Sequence, residues 1–308
     1  MKRLYILLIA ALWISGCGKE DKLSPSDYDK NFYTVEDSDN PLDHLIFTVY
    51  EKYGLPIFYN DTVCVQERGL DAFGNPYRYY EVLNCNYNIL SSVPEVTYSL
   101  SSDRKAIATM VAIVKDGVLN RLDKKMYPRS FLIVDSLYLA SYKSGGSRKY
   151  EGNVFRGMMT SVIGRAHDII EAGDSVRRRM TAEIIASEIA YYMMKKCRED
   201  LKAFFNISES EIKEGVNYYG REIKKGDAPV CPSPETFGFL SFDRSESHKT
   251  GQYYKLPDKH SDLFDYITVI YQGDTEEFLA KCQNHPYVKK KYETLKTVLT
   301  NLEINYGN

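Results

Sequence analysis

The chain has 308 residues, of which 44% are hydrophobic, and balances 40 Lys+Arg against 42 Asp+Glu for a formal net charge of −2. This supplies the core of one large domain or of two closely packed ones. A charge so near neutral gives no electrostatic footprint for nucleic acid and no polybasic membrane patch.

The first residues are cationic (Lys2, Arg3) and lead into an apolar run from Leu4 to Ile14 that ends at Ser15-Gly16-Cys17. The run is too short to span a bilayer stably, and the pattern is that of a secretory signal. Ile14-Ser15-Gly16-Cys17 resembles the lipobox of bacterial lipoproteins, which implies that residues 1–16 are a signal peptide. Cys17 is then the acylated N-terminus, and membrane lipid is the partner it holds. Loss of Lys2 and Arg3 with that segment brings the charge to about −4. Gly18-Lys19-Glu20-Asp21 resembles the tag that sends some lipoproteins to the outer face of the outer membrane, so the expected location is lipid-anchored and cell-surface facing. Residues 17–40 are polar and acidic and are expected to form a flexible tether, with the folded domain spanning 41–308.

From Pro41 the apolar residues Leu42, Leu45, Ile46, Val49 and Tyr50 recur at helical spacing up to Gly54. Strands are expected at Leu55–Tyr59 and Tyr77–Leu83, either side of the turn-rich Asp71–Pro76. A second helix covers Asp103–Leu122, and strands follow at Ser130–Asp135 and Leu137–Tyr142. Ser144-Gly145-Gly146-Ser147 is a loop without the Lys-Ser/Thr of a phosphate cradle. Gly157–Ile170 is strand and turn, and Asp174–Cys197 is the longest helix, capped by Asp174 or Ser175. The runs Arg177–Arg179 and Lys289–Lys291 fit solvated helix faces. After the Cys231-Pro232-Ser233-Pro234 break, helices at Asp258–Tyr271, Thr275–Cys282 and Pro286–Glu303 make a helical C-terminal third. The expected class is α+β.

In the long helix, Val176, Met180, Ile184, Glu188, Tyr191 and Tyr192 fall along one stripe, which puts a carboxylate on an apolar face. No basic residue stands one turn from Glu188, so its tip must reach water or meet an arginine from elsewhere. Glu183 has Arg179 one turn before it and fits an ordinary surface pair. The six cysteines show no Cys-x-x-Cys or His-rich spacing, and Cys64 and Cys85 are the nearest pair in the body, though spacing does not decide a disulfide. The 26 tyrosines suit half-buried strands and interfaces first, and the stacking of a glycan or peptide ligand second.

Around Glu188 the chain resembles the surface lipoproteins identified as zinc-binding metallopeptidases, or substrate-import-associated zinc metallohydrolases, encoded beside outer-membrane nutrient-uptake systems. Their zincin-like fold carries His-Glu-x-x-His on a helix, where residues four apart share a face and the Glu polarises zinc-bound water. Here the stretch is Ile184-Ile185-Ala186-Ser187-Glu188-Ile189-Ala190-Tyr191-Tyr192-Met193. Glu188 matches the general base, and the ligand positions are Ser187 and Tyr191, or Ala182 and Ala186 in a second register. Tyr50–Tyr59 resembles the family's opening segment, and Gly238-Phe239-Leu240-Ser241 its Gly-Phe-Val-Ser/Thr element. Asp262-Leu263-Phe264-Asp265-Tyr266 resembles the acidic helix bearing the third ligand, which puts Asp265 or Tyr266 at that position. The resemblance thus implies a catalytically inactive relative with no cofactor. Such a protein is a binding or assembly component of an outer-membrane transporter complex. The alternative is an active hydrolase, either zinc-dependent through a site relocated to residues such as His167, His248 or His260, or acting by another mechanism through an unrecognised site in the same cleft.

Overall fold

The computed structural model describes residues 31–83, 85, 95–140, 149–224, 233–243 and 253–306. Cys17, the signal segment, the 144–147 loop, Cys231 and His248 lie outside the described residues.

The compact body begins at Tyr33 rather than at Pro41. Tyr33 meets Phe58 edge-on at 6.3 Å and lies under the Arg129 guanidinium at 4.7 Å, while Val35 packs on the core. The last part of the expected tether is therefore docked, because two of its few apolar side chains find partners.

Helix α1 (Pro41–Tyr53) starts as expected, with Asn40 accepting from the Leu42 amide and Pro41 in the first turn. It ends at Gly54, whose φ of 70° closes the helix in the left-handed conformation glycine adopts without strain. The segment after it differs from expectation. Only β1 (Ile57–Phe58) forms from the Leu55–Tyr59 run, and the Asp71–Pro76 turn instead joins β2 (Thr62–Leu70) to β3 (Pro76–Val82) as an antiparallel hairpin. The β2 sequence, Thr-Val-Cys-Val-Gln-Glu-Arg-Gly-Leu, carries charge on both faces near the tip, which hides its strand character from a hydrophobicity pattern.

Strand β4 (Glu95–Ser99) precedes α2 (Arg104–Ala112), capped by Asp103 and continued by a π-helical turn at Ile113–Val118. Next come β5 (Ser130–Ile133), β6 (Ser136–Ala140), β7 (Lys149–Glu151), β8 (Val154–Arg156) and β9 (Thr160–Ile163). Two sheets result. One has the order β1-β5-β9-β8, parallel except for β8, and the other is an antiparallel β4-β6-β7 sheet.

Alternation explains why β5 and β9 lie at the centre. Phe131, Ile133 and Ile163 point into the larger core with the helices, while Leu132, Val134 and Val162 point into a second core shared with Val96, Leu137 and Leu139. In β5 burial on both faces reads as the continuous apolar run Phe131–Val134, while β9 buries Thr160 and Ser161 beside Val162 and Ile163. The two sheets approach so closely that a Cβ on Gly164 would lie 2.5 Å from the Leu137 Cβ.

Helix α3 (Asp174–Lys196) starts from Gly173 with no side-chain cap, in place of the expected Asp174 or Ser175. Arg177 fastens this end instead, donating to the Ile169 and Ile170 carbonyls, and so is not a freely solvated charge. From Ala182 to Ala190 every residue of α3 is buried. This stretch packs on β8, on the π-helical turn and on α5 (Lys259–Gln272), so no side of it faces water. Between them lie α4 (Lys202–Asn206) and the pair β10 (Glu222–Lys224) and β11 (Tyr253–Lys255). Helices α6 (Thr275–Lys281) and α7 (Pro286–Asn301) complete the C-terminal third. The class is α+β. Among the described residues no helix is long and apolar enough to cross a membrane.

Candidate functional site

Two buried charge clusters occupy the positions on which the sequence placed the chemistry. The first surrounds Glu188, which is fully buried. Because α3 packs against the four-stranded sheet, the carboxylate meets Arg156 from β8, with Oε2 2.7 Å from Nε, and Oε1 accepts from the Ser161 hydroxyl on β9. The Nε–Oε2 approach is an ion pair and not an aligned hydrogen bond, since both atoms lack a hydrogen-bond partner. The guanidinium also lies 4.4 Å from the Tyr191 ring centre and donates to the Gly157 carbonyl. Burial pushes the Glu188 carboxyl up to about 7, against the opposing pull of Arg156 and Ser161.

The other α3 positions are structural in their surroundings. Ser187 is buried, and Ala182 and Ala186 are wholly inside the core. Tyr191 and Tyr192 are half-buried, the latter with the Lys125 ammonium 6.0 Å from its ring. Glu183 is a correction. It is buried rather than a surface acid, held by Arg179 at 3.0 Å and accepting from the Asn153 side chain.

The second cluster centres on Lys291 and Asp262, with side-chain exposures of 0% and 1% and an Nζ–Oδ2 distance of 2.5 Å. Lys291 uses all three of its ammonium hydrogens, donating also to Ser208 Oγ and Tyr219 OH, each at 3.1 Å. Tyr219 passes the chain on, donating to Asp262 at 2.7 Å, and Ser208 donates to the Phe237 carbonyl. Four rings, Phe204, Phe239, Tyr219 and Tyr266, stand with their centres 4.5–5.3 Å from the ammonium. Burial raises the Asp262 carboxyl and lowers the Lys291 ammonium, and each charge partly restores the other.

The acidic helix and the Gly238–Ser241 element do meet. Tyr266 is fully buried and donates to the Gly238 carbonyl at 3.0 Å, and Ser241 donates to Asp265 at 2.6 Å. However, Asp262 and Tyr266 are one turn apart on α5 and face Phe204, Tyr219 and α7, whereas Glu188 faces β8 and β9. Although α3 and α5 pack directly on each other, Glu188 and residues 262–266 belong to two packed clusters with different partners.

Sequence reasoning missed Arg156, Ser161, Tyr219 and Ser208, which come from distant short elements. Lys291 had a usable signal. Val288, Lys291, Tyr292 and Leu295 recur at helical spacing on one buried face of α7, so the reading of Lys289–Lys291 as wholly solvated is corrected at its last residue.

The remaining candidate ligands lie elsewhere. His167 is half-exposed beside Asp168 (3.0 Å), Glu151 (3.8 Å) and Asp135 (4.0 Å), and His260 is exposed on the first turn of α5. No group of three or more His, Cys, Asp or Glu among the described residues is arranged to hold a metal ion. Cys64, Cys85, Cys197 and Cys282 are free thiols, so Cys64 and Cys85 are not paired. Compared with known proteins, the chain matches no protein-family model, no curated protein and no solved structure at a significant level.

Proposed function

We propose that this chain is a surface-anchored lipoprotein, held by acylated Cys17, that serves as a non-catalytic binding or assembly component of an outer-membrane nutrient-uptake system. Its body is a degenerate zincin-like scaffold in this reading. The observation that supports it is the Glu188–Arg156 ion pair. A general base must aim at a water or a metal in a cavity, and this carboxylate is spent on a buried guanidinium and a strand hydroxyl. Tyr266, at one of the third-ligand positions, is packed core.

Both halves of the reading are tested on the full chain expressed in a didermic bacterium. Cys17→Ser is expected to leave the protein unprocessed or released from membranes, and unchanged membrane fractionation without lipid on Cys17 removes the anchor. The purified protein is expected to hold no stoichiometric zinc and to cleave no peptide. One equivalent of zinc retained through dialysis, together with peptide cleavage that is lost when the zinc is removed, overturns the non-catalytic reading in favour of the hydrolase.

A further inference from the structure

Among the described residues, the β2–β3 hairpin carries six of the eleven exposed large hydrophobic side chains. Its pleat is two-faced. Cys64, Gln66, Tyr79 and Glu81 are half-buried, while Val65, Tyr80 and Val82 point outward with roughly half of each side chain in water. At the tip, Leu70 is 68% exposed, Phe73 89% and Tyr77 48%. A two-stranded ribbon gains little by itself from displaying such residues to solvent.

The tip is also ordered in a way that suits an apolar environment. Asp71 Oδ1 accepts from the Phe73 and Asn75 amides, both at 2.8 Å, and the Asp71 amide donates to the Asn75 carbonyl. Gly74, at φ 81°, donates to the Asp71 carbonyl. Four amides of the turn, those of Asp71, Phe73, Gly74 and Asn75, thus have partners within it, which lowers the cost of moving the exposed Phe73 out of water.

We propose that Leu70, Phe73 and Tyr77 are seated in the interfacial layer of the bilayer to which Cys17 is anchored, so that the protein meets its membrane at two points. The proposal rests on the anchor reading of Cys17. The chain outside the described body supports a lipid occupant over a protein one. It joins the body at Tyr33, packed on Phe58 only a few residues before the base of β2. The roughly 16 residues from Cys17 to Phe32 cannot exceed about 55 Å fully extended, and a nine-residue strand reaches about 25–30 Å. A fully extended tether is therefore longer than the hairpin, so the tip can reach the membrane surface. Its composition agrees: the apolar side chains Leu70 and Phe73 at the tip are followed by Tyr77 and then by Arg68 and Arg78, an order from apolar through amphipathic to charged, with the one tip carboxylate, Asp71, turned onto the turn's own amides. The insertion is apolar, so it does not depend on anionic lipid.

The sole tryptophan of the chain, Trp13, leaves with residues 1–16 when Cys17 becomes the acylated N-terminus, so Phe73→Trp places the one fluorophore at the tip. The full acylated chain is reconstituted in phosphatidylcholine vesicles and floated on a density gradient. We expect floated protein with blue-shifted emission that is quenched by brominated phosphatidylcholine and unchanged by salt. The control Val176→Trp, at an exposed position on the first turn of α3, should keep water-like emission. Floated protein with water-like emission from the tip overturns the proposal and leaves the anchor standing. Protein that does not float overturns both, because three side chains cannot retain the body alone. A blue shift that appears without vesicles and grows with protein concentration overturns it in favour of a second copy of the chain.

Discussion

Lys291→Ala is expected to lower the unfolding free energy by about 3–5 kcal/mol, since it leaves the Asp262 carboxylate buried without its counter-charge. The full magnitude applies because neither side chain touches solvent and screening is absent. Three features add to the loss. Asp262 Oδ1 already has no hydrogen-bond partner, Tyr219 and Ser208 each lose a donor, and the space among four aromatic rings is emptied. Asp262→Ala should cost a similar amount by stranding the ammonium. The pair removed together and replaced by apolar side chains of similar volume, Asp262→Leu with Lys291→Met, should recover most of the loss, because desolvation of two ions is then no longer required. Urea unfolding of the parent, Asp262→Leu, Lys291→Met and the double variant closes the cycle and gives the coupling energy. Single losses under about 1 kcal/mol, or costs that simply add in the double variant, would show that the cluster does not act as a unit.

That cluster also marks where the sequence is and is not legible. Local signals are strong for α1, where Asn40, Pro41 and Gly54 mark both ends, and for α5, capped by Asp258. They are strong too for β5, whose run Phe131–Val134 is apolar throughout, and weaker for β9, where only Val162 and Ile163 are apolar. The sequence pattern places the hairpin one strand too early, because β2 is charged and exposed and its turn chemistry sits beside a more apolar decoy at Leu55–Tyr59. Glu188 can be recognised as an anomalous acid from its helix face alone. Its partner cannot, since Arg156 lies 32 residues earlier in a three-residue strand between Gly152 and Gly157, and only the pairing of β8 with β9 brings it under α3. An acid on an apolar stripe states that a counter-charge is needed, and tertiary structure alone states which one.

Arg156→Met is expected to behave differently at different pH, and this follows from the direction in which folding moves the Glu188 carboxyl. Folding raises it from its ordinary 4.5 to about 7, so the native state holds this proton more tightly than the unfolded chain does. The resulting stabilisation is fully present below pH 4.5 and is lost as pH rises through about 7. The change amounts to about 3 kcal/mol, because each pH unit between the two values contributes about 1.4 kcal/mol. Glu188→Gln should abolish that decline, so the difference between the parent and this variant is expected to shrink by about 3 kcal/mol between about pH 4.5 and 7.5. Arg156 acts in the opposite direction, because it is the larger of the influences that pull the carboxyl back down. Without it Glu188 remains protonated in the native state to a higher pH, while the unfolded chain ionises as before. Arg156→Met should therefore be tolerated near pH 5, where the parent carries a buried guanidinium beside a neutral acid. Above pH 7 its deficit should grow by about 1.4 kcal/mol per pH unit, toward the 3–5 kcal/mol of a broken buried pair. Urea midpoints at pH 5, 7 and 9 read this directly, and a deficit that is constant across the three would mean that Arg156 contributes by packing on Tyr191 rather than by its charge.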